Sequence, residues 1–379
     1  MYYQRHGRVP AKRFTALTDA AGHLHYEELI SSGGFGGPCS YLYRLRPPTR
    51  VLRTEAAKPS LPERWTEGTQ RNRRFAVADI QVGPDGPAGR TPLFFNDDLV
   101  YSLMAPAGDG SAFYRDGGAD ELVVVVEGSG VLQSMFGDLS YRALDFVYVP
   151  RGTTWRLSPD PGPQTMVVLE TVTSCRPPER YRSPTGQLLP RSLYSERDLR
   201  TPVLQSPTDA MGEFTISVRV GSTLTTYVMA NHPFDTVGWD GALYPYALNM
   251  ADIEPLSGRV HLMPDMHQVF ASEGTVICAI TPSRSPDHPH AYPAQADHSA
   301  DCDEIFYRFG TDDGSPVPGV GAITLHPRAA AHGPKPGFET RPLPARNHLY
   351  GLIIDVARPV SMTRAAEEAD DPEYLSAWL

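Results

Sequence analysis

Residues 121–152 decide the fold: Glu121-Leu-Val-Val-Val-Val126, then Glu127-Gly128-Ser129-Gly130, Val131-Leu-Gln-Ser-Met-Phe136, Gly137-Asp138, and Asp145-Phe-Val-Tyr-Val-Pro150-Arg-Gly152. The continuous apolar run 121–126 predicts a strand buried on both faces. Gly-x-Gly and Gly-Asp are turn signals, and each is followed by another strand-like run. A further apolar run, Thr165-Met-Val-Val-Leu169, continues the series. Many short strands at close spacing predict a mainly β protein.

Outward from that stretch, the pattern strand, Gly-x-Gly, strand, Gly-Asp, strand, Pro-x-Gly, strand resembles a cupin, a small double-sheet jelly roll. Cupins usually place metal-binding histidines before the first of these strands and after the Pro-x-Gly. Here those places hold Tyr114-Arg115-Asp116 and Thr154-Trp155. This unit is therefore expected to be a scaffold without a metal. Residues 1–75 read as a wrapping arm with a Gly-rich turn, Gly33-Gly34-Phe35-Gly36-Gly37-Pro38. Residues 172–210, rich in Arg, Pro and Ser, read as an ordered connection over a surface.

The second half predicts another β unit, with strands at 213–220, 224–229, 269–270, 275–280, 304–309, 322–325 and 349–356. The expected organisation is two cupin/jelly-roll-like units: 1–210, arm plus metal-free scaffold, and 211–379, catalytic. A short C-terminal helix is expected in Thr363–Leu379, with Asp371-Pro372-Glu373 as its start.

Composition narrows the function. The chain has 379 residues, 41% hydrophobic and 21% charged, and a net charge of −10. That charge argues against nucleic acid or an anionic membrane surface as partner. No apolar run approaches ~18 residues, so no spanning helix is expected. The basic start, Arg5 to Arg13, lacks an apolar segment and reads as a solvated beginning of a cytoplasmic protein. Four scattered cysteines without a CxxC pair suit reduced thiols.

Histidines are concentrated late. Nine of the 12 lie between His232 and His348. Among them, His298 and Glu304 flank Ser299-Ala-Asp-Cys-Asp303, and His332 precedes Gly333-Pro334. An even spacing can put His298 and Glu304 on one face of a sheet. Two histidines and one carboxylate are the ligand set of non-haem Fe(II) oxygenases; two His and a Glu also occur together by chance. Asp301 and Asp303 could orient ligand histidines or form a solvated acidic turn. Arg308 shares the predicted Glu304 face and suits an anionic group or an inter-strand ion pair; Tyr307 lies on the other face. His326 ends a strand and could face a substrate. His288 and His290 could be ligands, line an entrance or sit in a surface loop. His267, Tyr244 and Tyr246 read as structural.

Four ordered segments together resemble the homogentisate 1,2-dioxygenase family. They are Trp239…Tyr244-Pro245-Tyr246-Ala-Leu-Asn249; Val260-His261-Leu-Met-Pro264; His298-x5-Glu304; and Leu325-His326-Pro327…His332-Gly333-Pro334. The resemblance is firm over roughly residues 236–335. It implies Fe(II) held by His298, Glu304 and His332, with His261 as the base. It implies an aromatic acid substrate that chelates through a ring hydroxyl and a carboxylate, cleaved with O2 to maleylacetoacetate if it is homogentisate. Candidate substrate contacts are His326, Arg308, His290 and Tyr307, and a homo-oligomer is expected. The family's active-site tyrosine falls on Asp313, so a related hydroquinone carboxylate fits as well. The alternatives are a non-catalytic bicupin that binds a metabolite, or a cupin isomerase or hydrolase using another divalent metal.

Overall fold

A computed structural model describes residues 2–66, 68–108, 110–255, 268–285, 296–337 and 344–379. The protein is mainly β, as the turn-punctuated sequence predicts. Two large sheets face each other in the first half. One runs in the order Leu199–Arg200, Tyr246–Asn249, Asp145–Val149, Asp120–Glu127, Thr165–Thr171, Leu99–Met104, Thr91–Phe95, Ser361–Met362. The other runs Gly137–Arg142, Ser129–Ser134, Thr154–Pro159, Phe113–Asp116, Met211–Val220, Thr223–Asn231, Val51–Thr54.

Strand Asp120–Glu127 shows why its sequence is apolar throughout. Val123 and Val125 point between the two sheets, against Leu132, Trp155 and Val168. Leu122 and Val124 point the other way, into a larger core. Each fully buried Val or Leu contributes about 1.5–3 kcal/mol, so a strand with two apolar faces ties both cores together. The hairpin between Ser129–Ser134 and Gly137–Arg142 turns through Gly137 at φ +119°, where a Cβ would lie 2.4 Å from the Val203 carbonyl. Glycine is required there by both the backbone angle and the close approach.

The interior of this first unit is not wholly apolar. Tyr114 and Trp155 fill the cupin ligand places with large buried rings. Around them Arg90 pairs with Glu121 at 2.7 Å and with Glu170 at 3.3 Å, Arg219 pairs with Glu170, and Trp155 donates to Glu121 at 3.1 Å. Asp116 accepts from the Tyr114 hydroxyl at 3.2 Å. Three carboxylates thus lie against two guanidinium groups, inside the barrel.

The third major sheet runs Gln268–Ser272, Thr275–Ile280, Leu349–Val356, Asp303–Thr311, Ala322–His326, Arg73–Ala76. Ile277, Ile305, Ile323 and Ile354 on one face share the large core with Leu122, Val124 and Phe146. The opposite face carries Glu304, Phe306 and Arg308. The shared core fixes that second face by elimination, because a strand alternates its side chains.

Sheet hydrogen bonds cross the expected division at 210/211. Met211–Val220 pairs in parallel with Phe113–Asp116, and Tyr246–Asn249 pairs with Asp145–Val149, so these late strands complete the first two sheets. Conversely Arg73–Ala76, from the arm, closes the edge of the third sheet against Ala322–His326. Three other arm strands join Thr236–Gly241 in a four-stranded sheet in the order Gln4–Gly7, Thr236–Gly241, Cys39–Arg44, Tyr26–Ser31, while the arm's Val51–Thr54 edges the second sheet. The connection is ordered: the Cys175 amide donates to Asp120, the Arg176 and Ala271 backbones pair, and the Tyr194 hydroxyl donates to the Val269 carbonyl.

The C-terminal helix is Arg364–Glu368, capped by the Thr363 side chain, which accepts from the Ala366 amide. Asp371-Pro372 follows it and opens only a 3-10 turn, Tyr374–Trp378. Thr363 is a standard N-cap residue; the Asp-Pro signal marks a 3-10 element of the same length, five residues, rather than the α-helix. No described helix is long and apolar enough to cross a membrane.

Candidate metal centre

Three strands present the site. Glu304 on Asp303–Thr311 lies opposite His326 on one side and opposite Asp355 on the other. Cross-strand partners share a face, so His326, Glu304 and Asp355 form a row across the sheet on the face away from the shared core. His332 reaches the row from the turn after His326. Its backbone pairs with that of Asp297 in an isolated bridge, through hydrogen bonds of 2.9 and 3.0 Å.

The donor atoms of Glu304, His326 and His332 lie within 4.8 Å of one another. The rings of His326 and His332 stack with centroids 4.0 Å apart. His332 Nε2 is 3.3 Å from Glu304 Oε1 and 3.6 Å from Asp297 Oδ1. Its Nδ1 is 3.1 Å from the Ala330 carbonyl, which can only accept. Nδ1 therefore carries a hydrogen, and the Nε2 lone pair of a neutral His332 faces a carboxylate. That contact is favourable only with a cation, a proton or a metal, between the two.

His326 is oriented in the same way. Its Nε2 is 3.1 Å from the Thr324 hydroxyl, which itself donates to the Phe306 carbonyl. Thr324 thus accepts from Nε2, and Nδ1 is buried without a hydrogen-bond partner among the described residues. An unsatisfied buried nitrogen is costly. The two imidazole nitrogens and the carboxylate are a donor set that fits a divalent transition metal. The charges agree: burial, then the neighbouring His332 and Arg308, push His326 down to about 3. Burial would also lower His332, but the Glu304 hydrogen bond and the Glu304 and Asp297 charges raise it overall. Asp355 is pushed up to about 6 by burial, then by Glu304 and Asp297.

His298 is exposed and forms no donor group of three among the described residues. The bridge explains this. It pairs Asp297, not its neighbour, with His332, so Asp297 shares the His332 side. Asp303 is buried, but it holds the turn after His326 rather than a histidine: it accepts from Arg328 N and Nε at 3.0 Å and from Val360 N at 2.9 Å. Asp301 is exposed and accepts from Ser299 Oγ at 3.3 Å. Tyr307, named above as a candidate substrate contact, is buried in the shared core on the opposite face, and burial pushes its hydroxyl up to about 12. His261, His288 and His290 lie outside the described residues.

Arg308 stands on the Glu304 face, two same-side positions further along the strand. Its guanidinium lies 3.9 Å from the centre of the Phe306 ring, the side chain between the two. Arg308 is half-buried, and among the described residues its side chain forms no hydrogen bond or ion pair. Asp313, at the place of the family tyrosine, is exposed in a turn beside Asp312 and His348.

Asp355 and Asn72 were not foreseen. Asn72 Nδ2 donates to the Ala331 carbonyl at 3.0 Å and so holds the His332 turn from the edge strand's approach. Asp355 had a visible signal, as the one charge in the apolar run Leu349-Tyr-Gly-Leu-Ile-Ile-Asp-Val356. Asn72 had none.

Comparison with known proteins adds the lineage. A protein of Saccharolobus solfataricus named "Putative dioxygenase SSO1533" is 32% identical over 100% of this chain and 99% of its own. The family model "Homogentisate 1,2-dioxygenase N-terminal" matches residues 99–250.

The chain belongs to the homogentisate 1,2-dioxygenase family.

The homogentisate 1,2-dioxygenase of Bradyrhizobium diazoefficiens is 25% identical over 65% of this chain and spans 58% of its own length in the match. Among solved structures, a cupin 2 conserved barrel protein from Leptotrichia buccalis covers 75% of this chain and 96% of its own, at 8% identity and a TM-score of 0.34. The cupin-like architecture rests on the strand order above rather than on that likeness. Residues 99–250 hold Asp116, Glu121, Glu170 and Arg219 of the buried ion network, so the family match extends beyond the histidine-rich segment that carried the resemblance in sequence.

Proposed function

We propose that this protein is an Fe(II)-dependent dioxygenase that opens the ring of homogentisate or a closely related hydroquinone carboxylate, giving maleylacetoacetate from homogentisate. The observation that carries the reading is the convergence of Glu304, His326 and His332 at the sheet face that also holds Arg308, whose side chain has no ionic partner among the described residues. Glu304 and His332 belong to the ligand set on either the sequence or the structural reading. The third ligand is His298 by spacing or His326 by position, and single substitutions with metal analysis separate them.

Bound Fe(II) would supply open positions for a chelating phenol and O2, and would lower the phenol's pKa. The chain's own residues do the rest. Ala330 and Thr324 fix which nitrogen of each imidazole faces the centre, as hydrogen-bond partners of metal ligands commonly do. Arg308 receives a substrate carboxylate: a guanidinium binds it through paired charge-assisted hydrogen bonds. Phe306, under that guanidinium, offers an apolar surface for a ring. A proton must leave the substrate, and none of the ligands is free to take it. His261 is assigned that role by its place in Val260-His261-Leu-Met-Pro264, and His290 a place at the substrate; both assignments rest on sequence.

Oxygen uptake by the Fe(II)-loaded, anaerobically prepared protein with homogentisate, gentisate and unsubstituted hydroquinone tests the reading. A metabolite-binding bicupin, or an isomerase or hydrolase of the same fold, would consume no oxygen with any of them.

A further inference from the structure

Two sequence features stand apart from the dioxygenase reading: the Gly-rich turn at 33–38 and the Arg-Pro-Ser connection at 175–184. The structure brings them together. Gly37 and Pro38 from the first, Arg176 and Arg182 from the second, and Tyr148 and Tyr246 from the first sheet line one cavity of about 480 Å³. The volume is that of small-molecule sites. None of its lining residues belongs to the Glu304–His326–His332 group.

Its chemistry is specific. Among the described residues neither Arg176 nor Arg182 makes a side-chain hydrogen bond or ion pair, and Arg182 Nε is buried without a partner. A buried unpaired donor is costly and is normally satisfied by something. The one acid in the lining, Glu196, spends an oxygen on the Leu188 amide at 2.6 Å and pairs with neither arginine. The lining therefore carries a net positive charge of one. Part of the lining is aromatic: the rings of Tyr148 and Tyr246 lie 4.9 Å apart. The Tyr148 hydroxyl is committed to Asp120 at 2.9 Å, so that residue offers a ring face. Pro184 and Thr185 at the rim are exposed.

We propose that this cavity binds a small carboxylate with an apolar or aromatic body, held by Arg176 and Arg182 over the two tyrosine rings. The arginines match a carboxylate's two oxygens, and the tyrosines match the body. The proposal does not depend on the metal centre. A ligand here would touch the arm, the connection and the first β unit at once, because the connection is pinned to Asp120 on one side and to Ala271 on the other.

Titration calorimetry of the full chain with phenylacetate tests it, since this probe has a carboxylate and a ring but no ring hydroxyl for metal chelation. Inorganic phosphate is titrated in parallel. The expected result is saturable phenylacetate binding that falls at least tenfold in Arg176→Met and in Arg182→Met. Melting temperatures without probe show whether each variant is folded. Tyr246→Phe, which keeps the ring, is a second, milder variant expected to retain most binding, whereas Tyr246→Ala should weaken it. Absence of saturable binding to the unaltered protein would overturn the proposal, as would binding indifferent to both arginines. Binding of phosphate but not phenylacetate would overturn the assignment to a carboxylate with an apolar body.

Discussion

His332 presents Nε2 to Glu304 at 3.3 Å while Nδ1 is held by the Ala330 carbonyl. That geometry suits a cation shared between the two, as the proposed metal centre requires. Glu304→Gln keeps the shape and removes the charge; His332→Ala removes the ring. Each is expected to lose stoichiometric iron, read by metal analysis after dialysis. His298→Ala and His326→Ala then locate the third ligand, because only the variant lacking a true ligand should lose iron to the same extent. Retention of full iron in His332→Ala would end the metal assignment.

The metal-free protein should show two opposed pH effects. His326 is held near 3, below its unfolded value of 6.5, so the unfolded state binds the extra proton first. Its contribution to stability is present above pH 6.5 and lost as pH falls from 6.5 toward 3. The displacement corresponds to on the order of 5 kcal/mol at most. His332 is raised, so its contribution is present below pH 6.5 and lost as pH rises through the raised value. Urea unfolding of the chelated protein at a series of pH values, compared with His326→Gln, measures the first effect. The variant should lose less stability between pH 6.5 and 4 than the parent; an equal loss would contradict the burial of a neutral ring.

Arg308 has no ionic partner among the described residues and leans over Phe306, so its proposed partner is the substrate carboxylate. Removing one charge-assisted pair costs about 1.5–3 kcal/mol, or roughly 10- to 100-fold in affinity. Arg308→Met should raise KM for homogentisate by about that factor and leave KM for a hydroquinone without a carboxylate nearly unchanged. Equal effects on both would mean that Arg308 only supports the strand.

In the first unit, Arg90 answers Glu121 and Glu170 inside the barrel, with both carboxylates fully buried. Deleting one member of a buried ionic set leaves an uncompensated charge, which costs about 3–5 kcal/mol. Arg90→Ala should lower the urea midpoint accordingly, with any remaining activity keeping its KM. A change below 1 kcal/mol would show that water replaces the arginine.

The legible parts of this protein were those written as local pattern. Runs such as Glu121–Val126, Thr275–Ile280 and Leu349–Val356 announce strands, because burial on one or both faces leaves a short-range trace. Glu304 and His332 were visible through motif spacing. His326 beside them was not assigned to the centre, since its place depends on the cross-strand register with Glu304. Register is a long-range property. The same is true of Met211–Val220, whose parallel pairing with Phe113–Asp116 carries no signal in either segment. Asp297 took the side expected of His298 because the bridge to His332 is offset by one residue, and a one-residue offset reverses every side chain. Arg176 and Arg182 read as part of a connection; only the folded chain shows them facing one cavity with Tyr148 and Tyr246.

The most direct test of the central claim is oxygen consumption by the Fe(II)-reconstituted protein on addition of homogentisate, recorded with an oxygen electrode alongside the absorbance of the ring-opened product. One O2 should be consumed per homogentisate, with uptake abolished in Glu304→Gln and in His332→Ala. Iron bound stoichiometrically at these residues with no oxygen uptake on homogentisate, gentisate or hydroquinone would contradict it.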